Sequence, residues 1–532
     1  MSIFSKTRIK RQKYSTFNLS HDRKMSLNMG NLVPCLVQEC VPGDQWKINT
    51  QQMLRMMPMI APVMHEVNVF THFYFVPNRL MFDGWEDFIT GGENGLDATL
   101  LPSVNLTTMQ GSGLLNSGTL SDYLGLPTRV SPSEPLPVSA LPFAAYNLIY
   151  DQYYRDQNLQ TSTWDNIKEI LDEGGSLNIM ALQALRFFDV KKRAWQRDYF
   201  TSALPFAQKG NAVNIPIAGE APIRWNQEAL GGTKARDFLS GNLVEWDSKD
   251  PIHGDPNFPG AIVGPYGGVG DSGFNIDSSD KYYADLENAS ATTISDLRRA
   301  FKLQEWLEKN ARAGSRYVES ILSHFGVRSS DARLQRAEYL GGGMSPVMIS
   351  EVLQTSQSDQ TPLADMAGHG LNLGKNGSVG KFCEEHGYII GIMSVMPKTA
   401  YQQGIPRHFL KSDKFDFFWP EFQHIGEQEI WQAELYAQTN QPFKTFGYIP
   451  RYSEYKYSPS SVHGYFRSSL DFWHLGRIFD NEPELNADFI EADPSNRIFA
   501  VEDPSEHKLI VHMFHNIKAR RMMSYFGDPS FR

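Results

Sequence analysis

TISDLRRAFKLQEWLEKNARAGSRYVESILSHFGVRSSDARLQRAEYLGGG, residues 293–343, is the stretch from which the rest of the chain can be read. Its first half is patterned as an amphipathic helix. Leu297, Ala300, Phe301 and Leu307 recur at three- and four-residue steps, the spacing that lines up one apolar face. Ser295 is placed to cap that helix, because a serine hydroxyl accepts from the free N–H groups of a first turn. Gly314 interrupts the pattern, and a second, shorter helix is expected over roughly Arg316–Phe325, ending at Gly326. Long helical patterns are few elsewhere, and the chain carries 30 prolines and 42 glycines, which together favour a β-rich body with long connections.

At 532 residues, 41% of them apolar and 12% aromatic, the chain is long enough for one to three domains with a large core. Extended segments are expected at Asn31–Val41, closed by Pro42-Gly43-Asp44, and at Trp46–Met53. Met53–Met64, rich in Met and Pro, reads as irregular. His65–Val76 is the clearest strand: Val67, Val69, Phe73 and Phe75 alternate with Glu66, Asn68, His72 and Tyr74, and Pro77 ends the run. Pro142–Tyr154 suggests a short helix. Later strands are expected at Lys381–Val395, Phe446–Tyr457 and Leu509–Ile517. The apolar run Tyr388–Met396 is too short to span a bilayer and reads as a buried strand. The fold class expected is mainly β, an eight-stranded antiparallel jelly-roll sandwich with long loop and helical insertions.

Charge is unevenly placed. The net charge is -10, yet residues 1–24 carry +6 and the remainder -16. Lys6, Arg8, Lys10, Arg11, Lys13, Arg23 and Lys24 are interleaved with Phe4, Tyr14 and Phe17. Cations that neutralise phosphates, set among rings that stack on unpaired bases, are what sequence-tolerant single-strand binding needs. A solvated, flexible terminus is the plain alternative. The C-terminal end repeats the composition with Lys518, Arg520, Arg521 and Arg532 beside Tyr525, Phe526 and Phe531. The DNA-binding residues expected are therefore Lys6, Arg8, Lys10, Arg11, Lys13, Tyr14, Arg23, Lys24, Lys518, Arg520 and Arg521.

Cys35, Cys40 and Cys383 form neither CxxC nor a His-flanked metal spacing, so free thiols in a reducing cytoplasm are expected. No signal peptide is expected, because the N-terminus lacks an apolar stretch. Residues 211–291 are rich in Gly, Pro, Asp, Asn and Ser without a sustained period. A structureless loop of that length is foreign to a compact domain, so a small folded protrusion with short strands is expected.

Several site-like motifs have plainer readings. Gly268–Gly273 fits GxGxxG, but loop-like sequence flanks it on both sides, whereas a dinucleotide site needs a strand before and a helix after. His253-Gly254-Asp255 and Glu384-Glu385-His386 repeat no ligand spacing. His424, close in sequence to Glu427 and Glu429, is the most enzyme-like cluster. No catalytic residue, metal site or cofactor is expected.

Several blocks resemble one family. They are Ala311–Tyr317, Ser323–Val327, Asp331–Arg336 and Glu338–Gly342, with His65–Phe88, Ser121–Gly125 and YNLIYDQYYRDQN at 146–158 before them. Phe446–Lys456, Phe466–Leu470 and Phe472–Leu475 follow. In this order they resemble the major capsid protein of the microviruses, in particular the gokushovirus branch of small single-stranded DNA phages. The resemblance implies a structural protein that builds a T=1 icosahedral shell of about 60 copies around the genome. It implies a virion location after assembly in the bacterial cytoplasm. The partners it implies are other copies of the chain, the single-stranded DNA genome, an internal scaffolding protein, a small basic DNA-binding protein, a DNA pilot protein and a host surface receptor, with no membrane insertion. It divides the chain into a lumen-facing basic arm (1–30), a first part of the jelly roll (31–210), a protrusion that contacts the host (211–291), and the signature helices with the remaining jelly roll and basic end (292–532). His424 falls in a pattern that is structural in the family. Seven cations per tail over about sixty copies supply a few hundred charges against thousands of phosphates, so other cations must contribute. A carbohydrate-active jelly-roll enzyme and a phage receptor-binding protein are the rival readings.

Overall fold

The computed structural model describes residues 14–93, 96–129, 135–211, 213, short strands between 223 and 284, and residues 294–313, 316–328, 330–355, 366–501, 503 and 505–526. The chain divides into two compact units, residues 1–209 with 307–532, and residues 210–306.

The larger unit is built on a sandwich of two antiparallel sheets. Its strands are β1 (Ser15–Asn18), β2 (His21–Leu27), β3 (Val33–Cys40), β4 (Gln45–Met56), β5 (Val67–Pro77), β6 (Glu338–Pro346), β7 (Met348–Leu353), β8 (Met366–Lys375), β9 (Val379–Phe382), β10 (Gly387–Pro397) and β11 (Leu509–Arg521). One sheet runs β6-β5-β10-β3. The other has seven strands: β11 lies between β4 on one side and β1 and β2 on the other, and the far edge of β4 pairs with β9 and with β8, which leads on to β7. The mainly β sandwich with helical and loop insertions is as expected, with eleven sandwich strands among the described residues where eight were expected.

Pairing is nested. β11 pairs along β4 from Leu509 opposite Met56 to Arg520 opposite Gln45, while β10 pairs along β5 from Gly387 opposite Pro77 to Pro397 opposite Val67. The sheets meet through Leu54, Met56, Val511 and Met513 on one side and Val67, Val69, Met393 and Val395 on the other. Further along, Trp46, Ile48, Ile517 and Ala519 meet Phe73, Phe75 and Ile389. Burying one such side chain is worth roughly 1.5–3 kcal/mol. Gly43, with φ at +89°, makes the β3–β4 turn in a conformation that a Cβ would strain.

The alternation in β5 separates two buried faces, not a buried and a wet one. Val69, Phe73 and Phe75 enter the sandwich, and Tyr74 and Val76 pack outward against helix Leu141–Ile149 and its neighbours, including Leu141, Phe143, Ala144 and Leu148. Helix Leu141–Ile149 continues as a wider turn, Tyr150–Tyr154, where the reading had one helix to Tyr154.

Other expectations need correction. The segment from Ser15 onward is not an arm: it forms β1 and β2, both paired with β11. β4 runs on to Met56, into the stretch read as irregular. Lys381–Val395 is not one strand. A bend at Glu384–His386 splits it into β9 and β10, which belong to different sheets. Phe446–Tyr457 yields only the strand Thr445–Pro450, since Tyr452 adopts left-handed φ at 63°. The helices at the signature are α1 (Ile294–Ala313) and α2 (Tyr317–Phe325), the latter stopped by Gly326 at φ 69°. Ser295 therefore lies inside the first turn of α1, and Phe301, expected on a buried face, is 64% exposed. Periodicity tells which residues share a face, not whether the same chain covers it.

The signature has a docking partner within the larger unit. Arg316 Nη2 donates to the carbonyls of Asp151 (2.7 Å) and Arg155 (3.1 Å), and Gln157 Nε2 donates to Glu319 Oε2 at 2.7 Å. The Ala337 N–H donates to Gln152 Oε1 at 2.9 Å. The blocks at 146–158 and 311–342 are thus two halves of one contact.

The smaller unit has short strands: Ile223–Trp225 pairs with Tyr282–Ala284, Thr233–Arg236 with both Leu243–Trp246 and Asn275–Ile276, and His253–Gly254 with Ile262–Val263.

Candidate nucleic-acid interface

The seven-stranded sheet turns one face to the core and exposes the other. On β11 the sequence LIVHMFHNIKARR alternates strictly, burying Leu509, Val511, Met513, His515, Ile517 and Ala519 and turning Ile510, Phe514, Asn516, Lys518 and Arg520 outward. β4 does the same: Trp46, Ile48, Thr50, Gln52, Leu54 and Met56 are buried, while Gln45, Lys47, Gln51 and Arg55 are exposed. A period of two is all that is needed to sort these strands into an apolar and a polar side.

Register then gathers the outward cations. Lys518 lies opposite Lys47 on β4 and Asn18 on β1. Arg520 lies opposite Gln45 and Thr16, and its guanidinium sits 4.8 Å from the Tyr14 ring centroid. Lys24 on β2 pairs with His512, Arg55 faces Leu371 across β8, and Lys375 ends β8 opposite Gln51. Lys24, Lys47, Arg55, Lys375, Lys518 and Arg520 are all exposed. The acid exposed on these outward strand positions is Asp22, 3.4 Å from His512 Nε2. Phe514 and Phe382 are exposed on the same side, at 37% and 49%. Lysines directly opposite each other on neighbouring strands repel, a cost that a polyanion laid across the face would offset.

Tyr14, Lys24, Lys518 and Arg520, expected from sequence, therefore belong to one surface. Lys6, Arg8, Lys10, Arg11 and Lys13 lie outside the described residues. Lys47, Arg55 and Lys375 were missed because they stand far from the basic ends in sequence. The polar alternation of Gln45, Lys47, Asn49 and Gln51 was the available signal for the first.

The other motifs have structural partners or none. Glu385 pairs with Arg79 at 2.6 Å, and His386 packs on the Trp85 ring. His424 contacts Gln423, and Glu427 is buried against Arg312. Gly268–Gly273 and Asp255 lie outside the described residues. A cavity of about 890 Å³ in the larger unit is lined in part by Asp156 and Asp198. Asp156 accepts from the N–H groups of Asn158 and Leu159, and Asp198 from Thr201, Thr399 and Tyr401, so both carboxylates serve the local structure. No group of three or more His, Cys, Asp or Glu suited to a metal occurs among the described residues. Cys35, Cys40 and Cys383 are free and buried, and burial pushes the Cys35 thiol up to about 12.

The family model described as "Capsid protein (F protein)" matches residues 2–531. This chain belongs to that capsid protein family. Relatives of nearly equal length agree. The capsid protein VP1 of Bdellovibrio phage phiMH2K is 37% identical over 97% of this chain and 95% of its own. That of Chlamydia phage 1 is 35% identical over 97% and 96%, and that of Spiroplasma virus 4 is 31% identical over 100% and 97%. The role is accordingly structural, in the capsid of a phage virion.

Two of the residues expected at the DNA are turned away from the basic face of this capsid protein. Arg23 alternates with Lys24 and so points inward, where it donates to the Tyr123 carbonyl; desolvation lowers its pKa. Arg521 follows Arg520 and likewise turns inward, 3.1 Å from Asp44 and over the Trp46 ring. Arg23 is engaged by the helix Leu120–Leu124 and Arg521 by the β3–β4 turn, so both are removed from the candidate interface. No helix among the described residues is long and apolar enough to cross a membrane.

Proposed function

We propose that this capsid protein forms a T=1 shell of about 60 copies and lays the exposed face of its seven-stranded sheet against a single-stranded DNA genome inside. The observation that carries the reading is the outward set of six cations and one acid, in a chain whose net charge is -10. Backbone phosphates are held by Lys47, Lys518, Arg520 and their neighbours, and unpaired bases rest on Phe514 and Phe382. Lys6, Arg8, Lys10, Arg11 and Lys13 add five further cations to the chain's basic end. The nested pairing of β4 with β11 and of β5 with β10 supports jelly-roll connectivity.

Family resemblance supplies the remaining partners: a scaffolding protein, a small basic DNA-binding protein that completes neutralisation, and a DNA pilot protein, all meeting in the host cytoplasm. The separate unit at 210–306 supports a protrusion for host attachment through 211–291. Deleting residues 219–285 then leaves shells and abolishes attachment.

The test of the genome face is binding of an oligodeoxynucleotide to the full chain at several salt concentrations. In K47Q/K518Q/R520Q the slope of log K against log salt falls by about 2, close to 0.7 per lost phosphate contact. An unchanged slope in a folded variant refutes the interface.

A further inference from the structure

The chain also carries an outward aromatic surface that the genome reading leaves unused. In residues 411–422 and 451–457, Phe415, Phe417, Phe418, Trp419, Tyr455 and Tyr457 are each 45–63% exposed. Loose loops expose rings too, but this segment is fixed. Asp416 accepts from the N–H groups of Ser412 and Asp413, both at 2.9 Å, and so tightens the turn. Trp419 Nε1 donates to the Lys414 carbonyl at 2.9 Å. The Tyr452 hydroxyl accepts from the Trp419 N–H and donates to the Phe417 carbonyl, at 3.3 and 3.2 Å. Tyr452 itself is held left-handed, and its N–H donates to Gln428 Oε1 at 3.0 Å. Beneath the rings Lys411, with a side chain only 4% exposed, bonds Glu454 at 3.3 Å and the Tyr455 hydroxyl at 2.8 Å.

We propose that this knuckle is an inter-subunit contact of the shell, docking onto a second copy of the chain. Aromatic side chains bury roughly 150–250 Å² each, so six half-exposed rings offer on the order of 600 Å². That approaches the roughly 800 Å² per partner of a standard interface and lies at the upper end for the largest apolar patch of a monomer. Holding the rings before contact reduces the ordering cost of docking. Charge argues against the genome as occupant. Lys411, Lys414, Arg451 and Lys456 are balanced by Asp413, Asp416, Glu421 and Glu454, so no net field draws phosphate. A shell protein meets further copies of itself on several sides, and a neutral, aromatic, prearranged surface suits that partner. The inference rests on membership in the capsid family and not on the genome face.

The three native cysteines are buried, so Phe417→Cys introduces a single accessible thiol. Maleimide labelling of the free full-length chain is compared with labelling of shells, empty or filled. The expected result is a rate reduced roughly tenfold or more in shells, while Phe417→Asp leaves the melting of the free chain unchanged and lowers shell yield by a similar factor. Equal labelling in both states overturns the proposal. If Phe417→Cys does not fold, hydroxyl-radical oxidation of Trp419 and Tyr457 in the unmodified chain decides: protection in shells supports the contact, and equal oxidation refutes it.

Discussion

The two sheets of the sandwich share an interior and differ in what lies outside them. On the outer face of β6-β5-β10-β3, β5 and β10 are packed under helices, with Tyr74, Val76, Ile390 and Ile392 in one cluster with Leu141, Phe143 and Phe187, while Tyr339 and Met344 on β6 are exposed. The outer face of the seven-stranded sheet is exposed and basic. The two central strands of the first sheet are committed on both sides to the fold. The second leaves one side open, and β4 and β11 show this as strict alternation of buried and exposed residues, where β5 and β10 are buried almost throughout.

That contrast is sharpest for one residue type in the two settings. Phe75, 1% exposed in the core, and Phe514, 37% exposed on the basic face, are both phenylalanines on paired strands. Phe75→Ala is expected to cost about 3–5 kcal/mol and to remove most of the folded chain, as read by denaturant unfolding. Phe514→Ala is expected to stay within about 1 kcal/mol of the unmodified chain while weakening oligonucleotide binding by the worth of a stacked base, about 1–3 kcal/mol. Equal stability losses would mean that the exposed face is structural after all.

Acid probes the covered surfaces. Burial holds His72 and His515 near 4, His72 with help from Arg193 and His515 with help from His21. With the ring neutral, His515 Nε2 donates to the Cys35 carbonyl at 3.0 Å and its Nδ1 accepts from the Thr50 hydroxyl at 2.9 Å. The unfolded chain binds protons at these histidines below about 6.5, whereas the folded chain does not until about 4. Stability is therefore complete above pH 6.5 and falls as pH drops toward 4, by up to about 3 kcal/mol per histidine. Thermal unfolding from pH 7 to 4 measures this, and H515Q flattens the profile. An unchanged midpoint over that range would contradict the burial of both rings.

Much of this was legible in the sequence. The run His65–Val76 and the closing run from Leu509 declare themselves by period, and the blocks at 146–158 and 311–342, which carry the family resemblance, prove to bond one another. What was hidden depends on distant pairing. Nothing local in Lys47 or Lys375 says that the first will lie opposite Lys518, or that both belong to one surface. The break between β9 and β10 was hidden because both halves are β-favouring and the bend between them is only four residues long, yet they enter different sheets. The covering of Tyr74 was not legible, because alternation looks alike whether the second face meets water or a helix.

The smallest expected difference is between neighbours on β2. Arg23 and Lys24 are adjacent cations in a basic segment, and composition treats them alike. The fold separates them, with Arg23 inward on the Tyr123 carbonyl and Lys24 outward opposite His512. Arg23→Gln leaves that carbonyl with a shorter, neutral donor and is expected to lower stability by about 1–2 kcal/mol with the salt dependence of DNA binding unchanged. Lys24→Gln is expected to leave stability within about 0.5 kcal/mol and to lower the salt slope by about 0.7. Denaturant unfolding and salt-dependent binding of the two variants separate the outcomes. If Arg23→Gln lowers the slope and Lys24→Gln does not, the DNA-facing side of β2 has been assigned the wrong way round, and with it the face of every strand paired to it.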